Sequence, residues 1–168
     1  GVQEAAAIGL ILVLLATAAY ALDGFAFASE IEAGQALGER QFIRFIESLW
    51  AGAILSVLST TIIVLIANLF HSQLFQTLTD FQNVVAEANA LMTWFTWILF
   101  ALCWSYWLDG VFIGVTKTVD MCLAMCVATA FGWYGSLWLL GTNSLDQLMA
   151  AFLIFSAFRT ITLAARLP

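Results

Sequence analysis

Five stretches of this sequence are apolar over lengths that can cross a lipid bilayer, and no other feature restricts the fold as strongly. An α-helix rises about 1.5 Å per residue, so about 20 residues cross a hydrocarbon core about 30 Å thick. We predict helical spans at residues 3–38, 44–70, 84–116, 119–141 and 145–166. No stretch shows the strict alternation of a strand. The sequence therefore predicts an all-α integral membrane protein, a single domain that forms a five-helix transmembrane bundle.

The overall composition makes the bilayer the solvent for much of this chain. Of its 168 residues, 63% are hydrophobic and 10% are charged, whereas soluble globular proteins have about 45–50% and about 25%. A soluble fold of this size cannot hide that much apolar surface. The formal net charge of −6 leaves no basic face, so we expect the lipid bilayer as a partner and no nucleic acid.

The sequence contains no motif typical of catalysis or of a bound metal. Cys103, Cys122 and Cys126 lie in apolar runs without the paired Cys and His spacing of a zinc site. His71 is the single histidine, and no nucleophile stands beside a base. We predict that the chain is not an enzyme and needs no cofactor other than a coupling ion.

The basic residues at or near the ends of the spans predict the orientation of the chain. They lie around the starts of the second and fourth spans and at the C-terminal end of the fifth: Arg40, Arg44, Lys117 and Arg166. The connectors before the third and fifth spans hold no Lys or Arg. Cytoplasmic loops of membrane proteins carry the excess of Lys and Arg. We therefore expect the Gly1 end outside and the Pro168 end in the cytoplasm.

The same Leu-Asp-Gly triplet occurs in two of the spans, at Asp23 and at Asp109. An ionised Asp inside a bilayer costs at least about 2.5–3.5 kcal/mol, so such residues usually serve a function. Arg159 is the single basic residue well inside a span, and the predicted orientation places all three charges at similar depth. A desolvated carboxylate can hold a proton and a cationic substrate in turn, which is the chemistry of a proton-coupled carrier.

Each of these charges also has a simpler interpretation. Arg159 could extend to the lipid headgroups. Asp23 and Asp109 could lie in wet crevices near the surface and shape the helix ends. Glu30 follows Asp23 by seven residues on roughly the same helix face, so it could extend an acidic lining or belong to a solvated helix end.

Three tryptophans of the third span fall on one helix face, because Trp94, Trp97 and Trp104 are spaced by three and seven residues. Such a stripe could stack against flat cationic compounds and line a substrate site. Contact with lipid, or an interfacial aromatic belt, is the alternative.

Two motifs and the C-terminal segment resemble one transporter family. Residues 20–38, with Leu22-Asp23-Gly24-Phe25 at their centre, are similar to the eighth helix of the DinF-like branch of the multidrug and toxic compound extrusion (MATE) family. Residues 108–117 resemble the tenth helix of that branch, and residues 159–163 resemble its last. The five spans would then be helices eight to twelve of a twelve-helix transporter, in part of its C-terminal lobe.

This resemblance implies a multi-pass protein of the bacterial inner (plasma) membrane. The family consists of secondary antiporters that export organic cations and other toxic compounds in exchange for protons or sodium. The resemblance marks Asp23, Glu30, Asp109 and Arg159 as motif positions, and the chemistry of buried charges makes them the candidates for transport and coupling. The family's first lobe and helix seven are not in this sequence, which begins at Gly1 without a methionine, so we expect a piece of a longer protein. The missing N-terminal lobe would come from the same or another chain.

A different class of function remains open from the sequence. A truncated half-transporter could act as a membrane scaffold or partner subunit that moves nothing itself. The reading frame upstream of Gly1 separates the two hypotheses, because six or seven further spans favour the carrier and a stop codon favours the scaffold.

Overall fold

The computed structural model describes residues 1–141 and 144–167 and confirms an all-α membrane bundle. Within these ranges the chain forms helices and no strand. The α-helices are α1 (Val2–Gly38), α2 (Phe42–Leu78), α3 (Gln82–Ala90), α4 (Met92–Gly114), α5 (Thr118–Val127), α6 (Gly135–Leu140) and α7 (Leu145–Ala164). In the described part of the chain, five segments are long and apolar enough to cross a membrane: α1, α2, α4, the continuous segment Thr118–Leu140, and α7.

The helices α1 and α2 form a long hairpin. Each has 37 residues, or about 55 Å at 1.5 Å per residue, which exceeds a hydrocarbon core of about 30 Å. The turn between them places Arg40 at a positive φ of 57°. The second span does not end at residue 70 as predicted but continues to Leu78. Phe75 is fully buried in the core and holds the extra turns in place despite their polar residues.

The third predicted span, residues 84–116, is two helices. Helix α3 ends at Ala90. The backbone amide of Leu91 then donates to the carbonyls of both Glu87 and Ala88, and α4 begins at the next residue. The short α3 buries three residues against the hairpin: Val84, Val85 and Ala88. The periodicity of apolar residues continues through this break, which is why the sequence predicted one helix.

The fourth span is continuous but not uniformly wound. Between α5 and α6 lies a π-helical segment, Ala128–Tyr134. Gly132 in this segment packs against α7, where an added Cβ would lie 3.0 Å from the Cα of Phe155. The following helix, α7, begins at a capping box in which Ser144 accepts a bond from the amide of Gln147 at 3.3 Å.

The central element of the bundle is α4, which packs against α1, α2 and α7. Its fully buried side chains include Phe95, Ile98, Leu99, Val111 and Phe112. The contact between α1 and α4 is unusually close, because Gly110 faces the backbone of Ala26 and Gly114 faces the backbone of Glu30. This crossing brings the two Leu-Asp-Gly triplets side by side.

Candidate functional site

The crossing of α1 and α4 forms a half-open cavity lined by three carboxylates. Asp23 and Glu30 reach it from α1 and Asp109 from α4, and its volume is about 200 Å³. Tyr106 of α4 and Met121 of α5 also line it. The structure therefore brings Asp23, Glu30 and Asp109 together at one site, which we call the acidic cavity.

An ion pair joins α7 to the acidic cavity. The guanidinium of Arg159 donates through Nη2 to Oδ2 of Asp109. Both side chains are largely buried, with 21% of Arg159 and 15% of Asp109 exposed. Arg159 thus pairs with Asp109 within the bundle in this structure.

The second carboxylate oxygen of Asp109 is in an unusual position. Oδ1 is buried and has no hydrogen-bond partner among the described residues. Buried polar atoms are nearly always paired, and a buried acceptor without a partner is costly. A proton or a cation at this oxygen would satisfy it.

A network of hydroxyl groups fixes α7 against α4 next to the ion pair. The hydroxyls of Ser105 and Thr160 lie 2.9 Å apart, and Thr160 also donates to the carbonyl of Ala101 at 3.2 Å. Because Thr160 adjoins Arg159 in sequence, this network holds the guanidinium in register with Asp109. The sequence prediction missed both hydroxyl residues, although Ser105 interrupts an otherwise apolar run.

Comparison with known proteins decides the family. The MatE family model matches residues 1–137 of the chain. This chain belongs to the MatE family. It is also 33% identical over 160 residues to the DNA damage-inducible protein F of Escherichia coli (strain K12), a match that covers 93% of this chain and 34% of that protein. No solved structure matches the chain.

The two matches confirm the resemblance to this family that the sequence motifs indicated. The chain spans about a third of the length of its Escherichia coli relative. The five apolar helices make it a multi-pass membrane protein.

The three tryptophans predicted to line a substrate site do not border the acidic cavity of this MatE chain. The indole of Trp94 donates to Asp146 of α7 at 2.7 Å. Trp97 is 60% exposed on the outside of the bundle. Trp104 is also exposed and contacts Trp107 edge to face, with ring centroids 5.9 Å apart. A role in lining a substrate site stays a prediction for all three.

Proposed function

We propose that this chain is part of a secondary antiporter that exports organic cations or other toxic compounds in exchange for protons, with sodium as the alternative coupling ion. The observation that carries the proposal is that Oδ1 of Asp109 has no hydrogen-bond partner among the residues that the structure describes, in a carboxylate that lines the same cavity as Asp23. Membership of the MatE family supports the transport class.

The charges of the acidic cavity suit an exchange between two cations. The three carboxylates of the cavity outweigh Arg159 by two negative charges when all of them are ionised. A proton on Oδ1 of Asp109 removes one of these charges, which weakens the binding of a cationic substrate. Proton and substrate therefore compete for one site, which is the basic requirement of an antiporter. Glu30 lies along the same lining and extends the negative potential toward the α1–α2 turn.

The proposed orientation places the Gly1 end outside and the Pro168 end in the cytoplasm of a bacterial inner membrane. Three groups of basic residues support it because they gather at one end of the bundle. Arg44 lies in the first turn of α2, Lys117 precedes α5, and Arg166 pairs with Asp120 of α5 at 3.0 Å. We further propose that the missing N-terminal lobe is supplied by the same or another chain, since the relative is about three times as long.

The test of this function is Asp109→Asn in the full-length transporter. The amide is nearly isosteric but neither ionises nor binds a cation strongly, so efflux of a cationic dye from vesicles driven by a pH gradient should fall to the level of protein-free vesicles. Asp80→Asn is the matched control, because Asp80 is exposed in a connector. Repeating the assay with a sodium gradient identifies the coupling ion. Unchanged dye efflux at normal protein levels would remove Asp109 from the mechanism.

A further inference from the structure

The outer face of α5 carries three sulfur-containing side chains within five residues. They are Cys122, Met125 and Cys126, in the sequence Met-Cys-Leu-Ala-Met-Cys of residues 121–126. Both thiols are exposed, and so is Met125 at 42%. Ala124, which lies between them in sequence, is only 1% exposed and packs in the core. The three sulfur residues therefore share one open face of the helix, which we call the sulfur cluster.

The spacing of the two thiols suits a bridging metal ion better than a disulfide. Cys122 and Cys126 are four residues apart on α5 and are free thiols. Side chains at this spacing have Cβ atoms about 5–6 Å apart, whereas a disulfide needs about 3.5–4.5 Å. A metal ion bonded to two sulfurs at about 2.3 Å each holds them up to about 4.6 Å apart. Two cysteines at this spacing reach that separation without movement of the helix backbone.

The thioether of Met125 can supply a third ligand at the same point. Met125 lies three residues after Cys122, on the neighbouring turn, and directly before Cys126. Its unbranched side chain has three rotatable bonds and adapts to the position of a partner. Two thiols and one thioether thus converge on one side of α5.

This set of donors selects a soft metal ion. Thiolate and thioether ligands favour Cu(I), whereas carboxylate and carbonyl oxygens favour magnesium, calcium and manganese ions. Within residues 1–141 and 144–167, no three His, Cys, Asp or Glu side chains are grouped so that they could hold a metal ion. Asp120, the acid in the first turn of α5, is paired with Arg166. The prediction of no bound metal rested on the ligand spacing of zinc sites, which this arrangement does not share.

The sulfur cluster lies near a polar end of the bundle. Helix α5 begins at Thr118, directly after Lys117, and both of these residues are exposed. At 1.5 Å per residue, Cys122 lies about 6 Å and Cys126 about 12 Å along the axis from that start. A metal ion delivered from water therefore reaches the cluster without crossing the bundle.

We propose that the sulfur cluster binds one Cu(I) ion through the thiolates of Cys122 and Cys126, with the thioether of Met125 as the third ligand. Each thiol releases one proton to water as its sulfur bonds to the metal. Copper stays in the Cu(I) state, so no oxidant or reductant takes part. Met121 lines the acidic cavity from the same helix and is not one of the ligands. This site goes beyond the proposed transport function and does not depend on it.

The test is a competition for Cu(I) between the detergent-purified full-length transporter and the coloured chelator bicinchoninate, without oxygen and with ascorbate present. The wild type should retain one equivalent of Cu(I) that both Cys122→Ser and Cys126→Ser release. Their affinity should fall by at least about 100-fold, because even groups that only support a ligand change metal affinity by about 10- to 100-fold. Cys103→Ser is the matched control, since Cys103 is buried in α4, and it should retain the ion as the wild type does.

A transposed cysteine tests whether the spacing on the helix matters. Cys126→Ser combined with Val127→Cys keeps the number of thiols but places them five residues apart, about 140° around the helix axis. This double variant should release Cu(I) as Cys126→Ser does. Wild-type affinity in the double variant would overturn the proposal, because the thiols would then bind independently of each other.

The role of the thioether has its own pair of variants. Met125→Leu should weaken Cu(I) binding by about tenfold, because leucine keeps the apolar volume but has no sulfur. Met149→Leu is the matched control, since Met149 is buried in α7, and it should bind as the wild type does. Equal affinity of the two variants would remove Met125 from the site.

Two further outcomes decide between this site and its alternatives. Tighter binding of Zn²⁺ than of Cu(I) would overturn the assignment of a soft metal ion, and so would an equal loss of Cu(I) in Cys103→Ser. Asp109→Asn should leave the retained Cu(I) unchanged. A failure of the sulfur cluster is therefore distinguishable from a failure of the acidic cavity.

Discussion

Arg159→Ala is expected to lower the yield of folded protein in detergent far more than Arg166→Ala. Removing the guanidinium leaves the carboxylate of Asp109 buried and unpaired, and breaking a buried ion pair in this way costs about 3–5 kcal/mol. The pair between Arg166 and Asp120 is more exposed, at 39% and 36% of the side chains, and such surface pairs contribute about 0–1 kcal/mol. Size-exclusion chromatography of matched preparations measures the yield, and thermal unfolding of the monodisperse fraction ranks the variants.

A double variant separates the ion pair from the packing of the arginine side chain. If the loss in Arg159→Ala comes from the stranded carboxylate, then adding Asp109→Asn should recover much of the lost stability. Equal yields of Arg159→Ala and Arg166→Ala would instead support the interpretation in which Arg159 extends to the headgroups.

Gly110→Ala is expected to destabilise the bundle, while the equivalent change in the other Leu-Asp-Gly triplet is harmless. A Cβ on Gly110 would overlap the carbonyl group of Ala26 and would lie 2.9 Å from its Cα. These are backbone atoms, so α1 and α4 must move apart, and overpacking of this kind costs about 1–3 kcal/mol. A Cβ on Gly24 meets nothing within 4 Å, and Ala is the better helix former by about 1 kcal/mol.

Thermal unfolding of the two glycine variants in the same detergent makes this comparison direct. Gly110→Ala should melt at lower temperature than the wild type, and Gly24→Ala at the same or a higher temperature. Gly114→Ala should resemble Gly110→Ala, because its Cβ would overlap the carbonyl of Glu30. Equal melting temperatures for the Gly24 and Gly110 variants would contradict the close crossing of α1 and α4.

The fold class was predictable because it depends on composition and on the length of apolar runs. Each span needs only about 20 apolar residues to be recognised. The helix ends were less predictable, since tertiary contacts decide them: Phe75 extends α2, and the break at Leu91 leaves no trace in the apolar pattern.

The charged residues of the acidic cavity were predictable from the sequence, but the ion pair between Arg159 and Asp109 was not. Asp23, Asp109 and Arg159 stand out in the sequence because charge is rare in apolar spans. The sequence does not reveal that Arg159 pairs with Asp109 rather than with Asp23, because that choice depends on how α1 and α7 pack against α4. Gly24 and Gly110 also look equivalent in sequence. Of the two, Gly110 lies against the backbone of the other helix, at Ala26, and Gly24 does not contact a neighbouring helix.

For the tryptophans as well, the spacing along the sequence did not identify the residue that tertiary contacts single out. Spacing along α4 singled out Trp94, Trp97 and Trp104, which share a face of the helix. The structure instead gives Trp107 the buried and unpartnered N–H. Its position depends on Gly52 of another helix, and no pattern within α4 contains that information.

The π-helical segment Ala128–Tyr134 has a consequence for how the last two spans can move. Each backbone bond there reaches five residues along the chain, so rewinding the segment into an ordinary α-helix would change its pitch. Gly132 and Trp133 of this segment contact Phe155 of α7. Because these contacts join the segment to α7, rewinding the segment would require the contacts between the fourth and fifth spans to break or to shift.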